Sequence, residues 1–257
     1  MNDLDLAREA AAVGARIVAD WADRFGSADL KGVVDPVTQA DRESEQAVLE
    51  LLATQRPDDA IGGEAGANRE GSTGRRWLID PLDGTVNFVH GVPQVAVTIA
   101  VEDEDGAIAG VIRDVFRGHE YTATRGGGAF RDGTPIRTSD CDDIASALVA
   151  TGFPYDRHEH GREYGRIVGE VLTSIQGLRR AGSAALDMAW VACGIYDGYF
   201  EQDFGPWDIA AGILLVREAG GIVTGYDGST PVTSDVVSAA PGVHAALQRV
   251  VATAVGA

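Results

Sequence analysis

The 257-residue sequence contains few cysteines and no long apolar run. Its two cysteines, Cys141 and Cys193, are too few for a disulfide framework or a cysteine-based metal cluster, and they fit a reducing compartment. No segment reaches the ~18 apolar residues that span a bilayer, and the acidic N-terminus lacks the basic segment of a secretory signal. We therefore expect a cytoplasmic protein that makes no membrane contact.

Basic residues are also scarce. Lys31 is the single lysine beside 20 arginines, and 39 acidic residues bring the net charge to −18. A protein that binds nucleic acid directly normally presents a basic face, which this composition disfavours. The charge therefore argues against direct contact with DNA or RNA.

Hydrophobic periodicity predicts a mixed α/β (α+β) chain. Apolar residues three and four apart predict a helix over 4–25 and a second from Thr38 to about Ala53. Two β-branched runs, 95–101 and 107–115, flank an acidic turn and predict a hairpin. Further strands are predicted over 145–151 and 195–201, and helices over 161–174, 183–194, 208–219 and from 242. Such mixing predicts a layered architecture.

The segment richest in chemistry follows a short predicted strand over 77–79. Asp80 and Asp83 stand three residues apart where that strand is expected to end, and Gly84 and Thr85 follow them. Hard oxygen ligands at the end of a rigid strand suit Mg²⁺, which takes a few carboxylates together with substrate phosphate and water. Proline, aspartate and glycine also make ordinary β-turns. This segment alone leaves both interpretations open.

Motifs along nearly the whole chain resemble those of the inositol monophosphatase family. They are Asp35-Pro-Val-Thr-Gln-Ala-Asp41, Gly62-Gly-Glu64, Asp80-Pro-Leu-Asp-Gly-Thr85 with Asn87-Phe88, Thr151-Gly-Phe-Pro154, Gly182-Ser-Ala-Ala185, and Trp207-Asp-Ile-Ala-Ala-Gly212 with Glu218-Ala-Gly-Gly221. The resemblance implies a layered αβαβα sandwich. Residues 1–140 would form an N-terminal half with paired helices and an antiparallel sheet, and 141–257 a C-terminal α/β half. It also implies an active site between the halves, and a homodimer.

The resemblance implies a site for two or three Mg²⁺ ions. Its ligands would be the carboxylates of Glu64, Asp80, Asp83 and Asp208 and the backbone carbonyl of Leu82. Carboxylates gathered this closely repel one another unless cations neutralise them. Asp208 also suits the start of a helix, and that role is compatible with metal binding.

Glu64, Asp41 and Thr85 are the implied catalytic residues, which would position and deprotonate the attacking water. From the residues alone, Asp41 fits better as the end of a capping box that begins at Thr38. Ala65 stands where the family more often carries a second acid. A weak third metal would therefore lose a supporting carboxylate.

The substrate would contact two groups of residues. One group is Asp83, Gly84, Thr85 and Asp208, and the other is Gly182, Ser183, Ala184 and Glu201. Glu201 also fits a surface acid at a strand end, and Arg179 and Arg180 either bind an anion or lie on the surface. His158 and His160 are expected in a solvated polar loop.

The implied activity is hydrolysis of a small phosphomonoester, with inositol-1-phosphate as the leading substrate. Histidinol phosphate, fructose-1,6-bisphosphate and 3'-phosphoadenosine 5'-phosphate are alternatives that the same fold and metals accommodate. A regulatory binding protein that retains the metal site, or a metal-bound structural protein, would share the same sequence motifs.

Overall fold

The computed structural model describes residues 1–22, 39–64, 66, 68–231 and 235–256. Within these ranges the helices are α1 (Asp3–Ala22), α2 (Gln39–Gln55), α3 (Thr85–His90), α4 (Arg157–Leu172), α5 (Ala184–Ala192), α6 (Pro206–Glu218) and α7 (Pro241–Val255). A 3₁₀ turn covers Ile144–Ser146. No described helix is both long and apolar enough to cross a membrane.

The first sheet has eight strands, in the spatial order β2-β1-β3-β4-β5-β6-β7-β8. They are β1 (Ala60–Gly63), β2 (Asn68–Arg69), β3 (Arg76–Asp83), β4 (Ala96–Asp103), β5 (Gly106–Asp114), β6 (Glu120–Thr124), β7 (Gly128–Arg131) and β8 (Thr134–Pro135). Only the β1–β3 pair is parallel among these neighbours. The predicted hairpin is confirmed as β4 and β5.

The second sheet has five strands in the order β10-β9-β11-β13-β12. They are β9 (Leu148–Thr151), β10 (Gly177–Arg179), β11 (Gly198–Gln202), β12 (Ile222–Thr224) and β13 (Asp235–Ala239). The pairs of β9 with β10 and β11 are parallel, and the two pairs that include β13 are antiparallel. The predicted division near residue 140 falls between the strands of the two sheets.

Five layers stack in the order that the resemblance implied. Helices α1 and α2 cover one face of the first sheet, α5 and α6 fill the space between the sheets, and α4 and α7 cover the outer face of the second sheet. Alternation along β3 shows how the layers form. Trp77 and Ile79 point into the outer core with α1 and α2, whereas Leu78 points into the central core. The αβαβα sandwich is confirmed.

Two local predictions were wrong. Strand β3 was expected to stop before Asp80 but continues through Pro81 to Asp83, where its register with β4 shifts. A proline is compatible with a strand at such an irregularity. His158 and His160 lie in the exposed first turn of α4 and not in a loop. Residues 23–38, which contain Thr38 and the start of the Asp35 motif, lie outside the described residues.

Candidate active site

A cleft of about 270 Å³ opens where β3 ends and where α5 and α6 begin. Most of the predicted site residues line it: Glu64, Asp80, Leu82, Asp83, Gly84, Thr85, Gly182, Ala184, Glu201 and Asp208. Asp41 and Ser183 do not belong to the lining. Because the fold gathers acids from distant parts of the sequence into one cleft, the site is a property of the tertiary structure.

Three carboxylates form the centre of the cleft. Oxygens of Glu64, Asp80 and Asp208 lie within 4.8 Å of one another. Glu64 directly follows β1, and its amide donates to the carbonyl of Ile79 at 3.2 Å, which places it beside Asp80 on the parallel neighbour β3. Asp208 lies in the first turn of α6. The turn is anchored to the first sheet by Thr98, whose hydroxyl donates to the carbonyl of Trp207 at 3.0 Å.

Burial and mutual repulsion act on this cluster. Burial is the main cause that raises the pKa of Asp80 well above its usual range, and the charges of Glu64, Asp83 and Asp208 raise it further. Burial also raises the pKa of Asp208, with added repulsion from Glu64. The amide of Gly205 opposes this by donating to Asp208 at 2.7 Å. Asp208 therefore helps to start α6 while its carboxylate still faces the cleft.

Asp83 is held apart from these three by the start of α5. Its Oδ2 accepts a hydrogen bond from the Ser183 hydroxyl and another from the amide of Ala185 at 2.9 Å. Burial raises the pKa of Asp83 to about 6, and the bond from Ser183 opposes that rise. Ser183 is itself buried and caps α5 through the amide of Leu186. The structure thus places Ser183 behind the cleft wall, where it fixes Asp83.

The turn that follows Asp80 is closed by its own backbone. The amide of Leu82 donates to Asp80 Oδ1 at 2.9 Å, and the hydroxyl of Thr85 donates to the carbonyl of Leu82 at 3.1 Å. Gly84 adopts φ +91°, a left-handed conformation that favours glycine. These contacts fix the carbonyl of Leu82 and start α3 at the cleft.

Asp41 lies in the first turn of α2 and is buried. Ser44 lies one turn further along, on the same face of the helix, and its hydroxyl donates to the carbonyl of Pro81 at 3.0 Å. This face of α2 therefore packs against the turn that carries Asp80 and Asp83. Asp41 is close to the predicted metal turn although it is not part of the cleft lining.

Glu201 borders the cleft at the end of β11. Burial raises its pKa to about 7, and two favourable partners, the hydroxyl of Tyr199 and the charge of Arg180, limit the rise. Tyr199 donates directly to the carboxylate. Gly152 faces this carboxylate so closely that any side chain there would overlap it. The sequence-based alternative of an ordinary surface acid does not describe this position.

Asp187 is a buried acid behind the cleft, on α5. It is 1% exposed, and its Oδ1 has no hydrogen-bond partner among the described residues. Burial, with repulsion from Glu201 and Asp83, raises its pKa well above the usual range. A raised pKa in the folded state favours the fold below the unfolded pKa of ~3.9, and this contribution is lost as the pH rises.

We expect Asp187→Asn to raise the free energy of unfolding of the metal-free protein more at pH 7.5 than at pH 4.5. The two effects should differ by about 1.4 kcal/mol or more, which corresponds to at least one pKa unit. Urea unfolding of both proteins in EDTA at the two pH values measures this. The cost of burying the amide does not depend on pH, so the change in the difference isolates the carboxylate charge. If the free energies of unfolding of the two proteins differ by the same amount at both pH values, the raised pKa of Asp187 is contradicted.

The cleft also contains residues that the sequence did not assign. Phe153 and Tyr155 enter it from the connection between β9 and α4, Arg157 from the start of α4, and Asp203 and Phe204 from the connection between β11 and α6. The spacing of these residues along the sequence does not resemble a metal-binding motif, and only the fold brings the two connections together. Ala65 lies outside the described residues.

Comparison with known proteins agrees with the architecture. A profile of the inositol monophosphatase family matches residues 2–256. The chain is 43% identical over 204 residues to an inositol-1-monophosphatase of Rhizobium meliloti (strain 1021), covering 77% of this chain and 75% of that protein. It is 40% identical over 223 residues to the protein named Nus factor SuhB of Escherichia coli (strain K12), covering 86% and 84%.

A solved structure gives the same result. The inositol monophosphatase from Anabaena (Nostoc) sp. PCC 7120 superposes with a TM-score of 0.88 at 36% identity, and the match covers 97% of this chain and 95% of that one. The family match thus extends over nearly all of the sequence, and the fold match includes both sheets and the cleft between them. The chain belongs to the inositol monophosphatase family.

Proposed function

We propose that this protein is a Mg²⁺-dependent phosphomonoester hydrolase, with inositol-1-phosphate as its leading substrate. The observation that carries the proposal is the cluster of Glu64, Asp80 and Asp208, whose carboxylate oxygens lie within 4.8 Å of one another. Such a cluster is unfavourable without cations, and it lies in a cleft of a size that suits a small polyol phosphate. The name of the Rhizobium meliloti relative supports inositol-1-phosphate as the first substrate to test.

The donor set of the cleft fits Mg²⁺. All candidate ligands are hard oxygens, from Glu64, Asp80, Asp83, Asp208 and the backbone carbonyl of Leu82, and neither histidine nor cysteine occurs among the described residues that line the cleft. We propose that these groups hold two or three ions. When bound, Mg²⁺ supplies positive charge for the phosphate oxygens and lowers the pKa of a coordinated water.

The chain's own groups would perform the remaining steps. Glu64 would hold the attacking water, and the pair formed by Asp41 and Thr85 would orient it and take up its proton. The amides of Gly84 and Thr85 would donate to the phosphate. With the carboxylates of Glu64, Asp80, Asp83 and Asp208 engaged as metal ligands, and no cysteine or histidine in the described lining of the cleft, we propose direct in-line attack of water on phosphorus without a covalent enzyme intermediate.

The rest of the substrate would lie against the second sheet. Glu201 would accept hydrogen bonds from substrate hydroxyls, and Gly182 and Ala184 would leave room for the ring. Ser183 would act through Asp83, which it holds with the amide of Ala185. Preorganised groups of this kind need no rearrangement when charge develops in the transition state.

Phosphate release from four phosphomonoesters, with and without Mg²⁺, tests the proposal. The four are inositol-1-phosphate, histidinol phosphate, fructose-1,6-bisphosphate and 3'-phosphoadenosine 5'-phosphate. We expect Mg²⁺-dependent release that Asp83→Asn lowers by at least about a hundredfold. Asp103→Asn, at the end of β4 away from Asp83, is the matched control and should retain activity. Absence of release by a folded protein that binds Mg²⁺ would contradict the proposal.

A regulatory function is the second candidate, because the Escherichia coli relative carries the name Nus factor. The net charge of −18 favours a protein partner over direct contact with RNA. Affinity purification that recovers a stoichiometric partner, together with no phosphate release, would favour this candidate.

We further propose that the protein is a cytoplasmic homodimer. Light scattering coupled to size exclusion measures the oligomeric state directly, and a mass of one 26.9 kDa chain would contradict the dimer.

A further inference from the structure

Two arginines line the same cleft as the carboxylates, and neither forms an ion pair within the part of the chain that the structure describes. Arg180 follows β10, and Arg157 opens α4. Some other arginines of this acidic chain do form ion pairs, as Arg117 does with Asp114 at 2.9 Å. Two guanidinium groups without a paired acid, in a cleft rich in acids, are available to a ligand.

Aromatic rings hold both arginines in place. The guanidinium of Arg180 lies 5.7 Å from the centroid of the Phe153 ring, and that of Arg157 lies 5.6 Å from the centroid of Tyr155. Phe153 in turn stacks on Tyr164, with centroids 6.2 Å apart and an interplanar angle of 22°. Cation–π contact occupies the face of a guanidinium and leaves its N–H edge free for an anion.

This arrangement is anchored from below. The hydroxyl of Tyr164 donates to Asp156 at 2.6 Å, and the Arg157 guanidinium donates to the carbonyl of Pro154 at 3.3 Å. Phe153 and Tyr155 both come from the connection between β9 and α4. One short segment thus contacts both cations of the cleft lining, and we call Arg157 and Arg180 the arginine pair.

Arg180 also lies next to the catalytic side of the cleft. A Cβ atom on Gly182 would come within 2.6 Å of its Nη1, so the guanidinium packs over a glycine that lines the cleft. Asp83 and Glu201 line the same cleft, and the charge of Arg180 acts to lower the pKa of both. Asp83 nevertheless has its own partners in Ser183 and α5, so Arg180 is not required as its counter-ion.

We propose that Arg180 and Arg157 form an anion subsite that binds a second phosphate group carried by the substrate, in addition to the phosphate that is hydrolysed. This inference rests on the proposed hydrolase function. A monophosphate would leave the pair without an anionic partner, whereas a polyol bisphosphate would place one phosphate on the metal side and the other on the arginines. Guanidinium groups bind phosphate through two parallel N–H donors, which makes such a contact specific.

Matched substrates test the subsite. Inositol-1-phosphate and inositol-1,4-bisphosphate share one ring and differ in the second phosphate. We expect the double variant Arg157→Gln/Arg180→Gln to lose at least tenfold more kcat/KM for the bisphosphate than for the monophosphate, mainly through KM. Arg179→Gln is the control, because Arg179 neighbours Arg180, does not line the cleft and donates to the carbonyl of Leu178. An equal loss for both substrates would overturn the proposal.

Inhibition by inorganic phosphate shows whether the arginine pair binds free phosphate or the second phosphate group of the substrate. If the arginine pair captures only free phosphate, the double variant will weaken product inhibition while the ratio between the two substrates stays unchanged, and that result also overturns the proposal. If the wild type hydrolyses neither compound, the hydrolase function fails, and both compounds stay intact for calorimetric titration. The subsite then stands only if the double variant weakens binding of the bisphosphate more than that of the monophosphate.

Discussion

Asp80→Asn is expected to reduce Mg²⁺-dependent phosphate release by at least about a hundredfold and, at the same time, to stabilise the metal-free protein. Asp80 is buried among Glu64, Asp83 and Asp208, which with burial raise its pKa well above the usual range. Its negative charge therefore opposes folding once the pH exceeds ~3.9 and no cation is bound. Asparagine removes that charge and still accepts the hydrogen bond from the amide of Leu82.

Thermal unfolding at pH 7.5, in EDTA and in excess Mg²⁺, measures the stability of the variant and of the wild type. In EDTA, Asp80→Asn should unfold at a higher temperature than the wild type. In excess Mg²⁺ the order should reverse, because a ligand that binds the native state at a hundred times its Kd adds about 2.7 kcal/mol of stability. A variant that is less stable than the wild type in EDTA would show that burial and repulsion of the Asp80 charge do not decide its effect on stability.

Asp59→Asn is the matched control for a buried aspartate. Asp59 precedes β1, at the end of that strand opposite Glu64, and accepts hydrogen bonds from Trp77 at 2.8 Å and Thr73 at 2.6 Å. An amide can keep only one of these two contacts as an acceptor, so this variant should lose about 1 kcal/mol of stability in EDTA and retain activity. Both substitutions replace a carboxylate with an amide, but we expect Asp80→Asn to raise the stability in EDTA and Asp59→Asn to lower it.

Gly84→Ala is the second change with a large expected effect, on stability and on activity. Gly84 has φ +91°, and an added Cβ would lie 2.7 Å from the carbonyl oxygen of Gln94. That carbonyl also accepts a hydrogen bond from Asn87, which ties the turn to the backbone at Ala181. Left-handed strain and this backbone clash together should cost about 3 kcal/mol. Displacement of the neighbouring Asp83 should lower kcat/KM by about a hundredfold.

Gly91→Ala distinguishes the effect of left-handed backbone strain from the effect of the backbone clash. Gly91 ends the same helix, α3, with φ +70°, and a Cβ atom added there would meet no atom of the described residues within 4 Å. This variant carries the strain alone, so it should lose about 1–2 kcal/mol and keep its activity. Chemical denaturation and phosphate release with inositol-1-phosphate compare the two variants. Equal losses of activity would mean that the turn at Gly84 does not position the metal ligands.

The chemistry of the site could be predicted further from the sequence than its geometry. Asp80, Asp83 and Asp208 are recognisable because carboxylates beside proline, glycine and a helix start form compact local motifs. The sequence did not indicate that Ser183 and Ala185 bind Asp83, because the residues of that contact are about a hundred positions apart. Only the packing of α5 against the end of β3 brings them together.

The same limit applies to the fold. Long amphipathic helices and the β4–β5 hairpin carry a period that extends over many residues, and they were predicted. Strands β1, β10 and β12 are three or four residues long, too short for alternation to show, and they form because neighbouring strands supply their hydrogen bonds. Proline has no backbone N–H to donate to a neighbouring strand. Strand β3 continues past Pro81 because its register with β4 is irregular there, so that no hydrogen bond from this position is needed.

The separation of Glu64 from Asp208 along the chain has a consequence during synthesis. More than half of the 257 residues lie between these two acids, and β1 leaves the ribosome long before α6 exists. The nascent chain therefore carries an incomplete set of metal ligands until α6 packs between the two sheets. Contacts of such long sequence separation form late, so metal capture should coincide with the final assembly of the fold and not precede it.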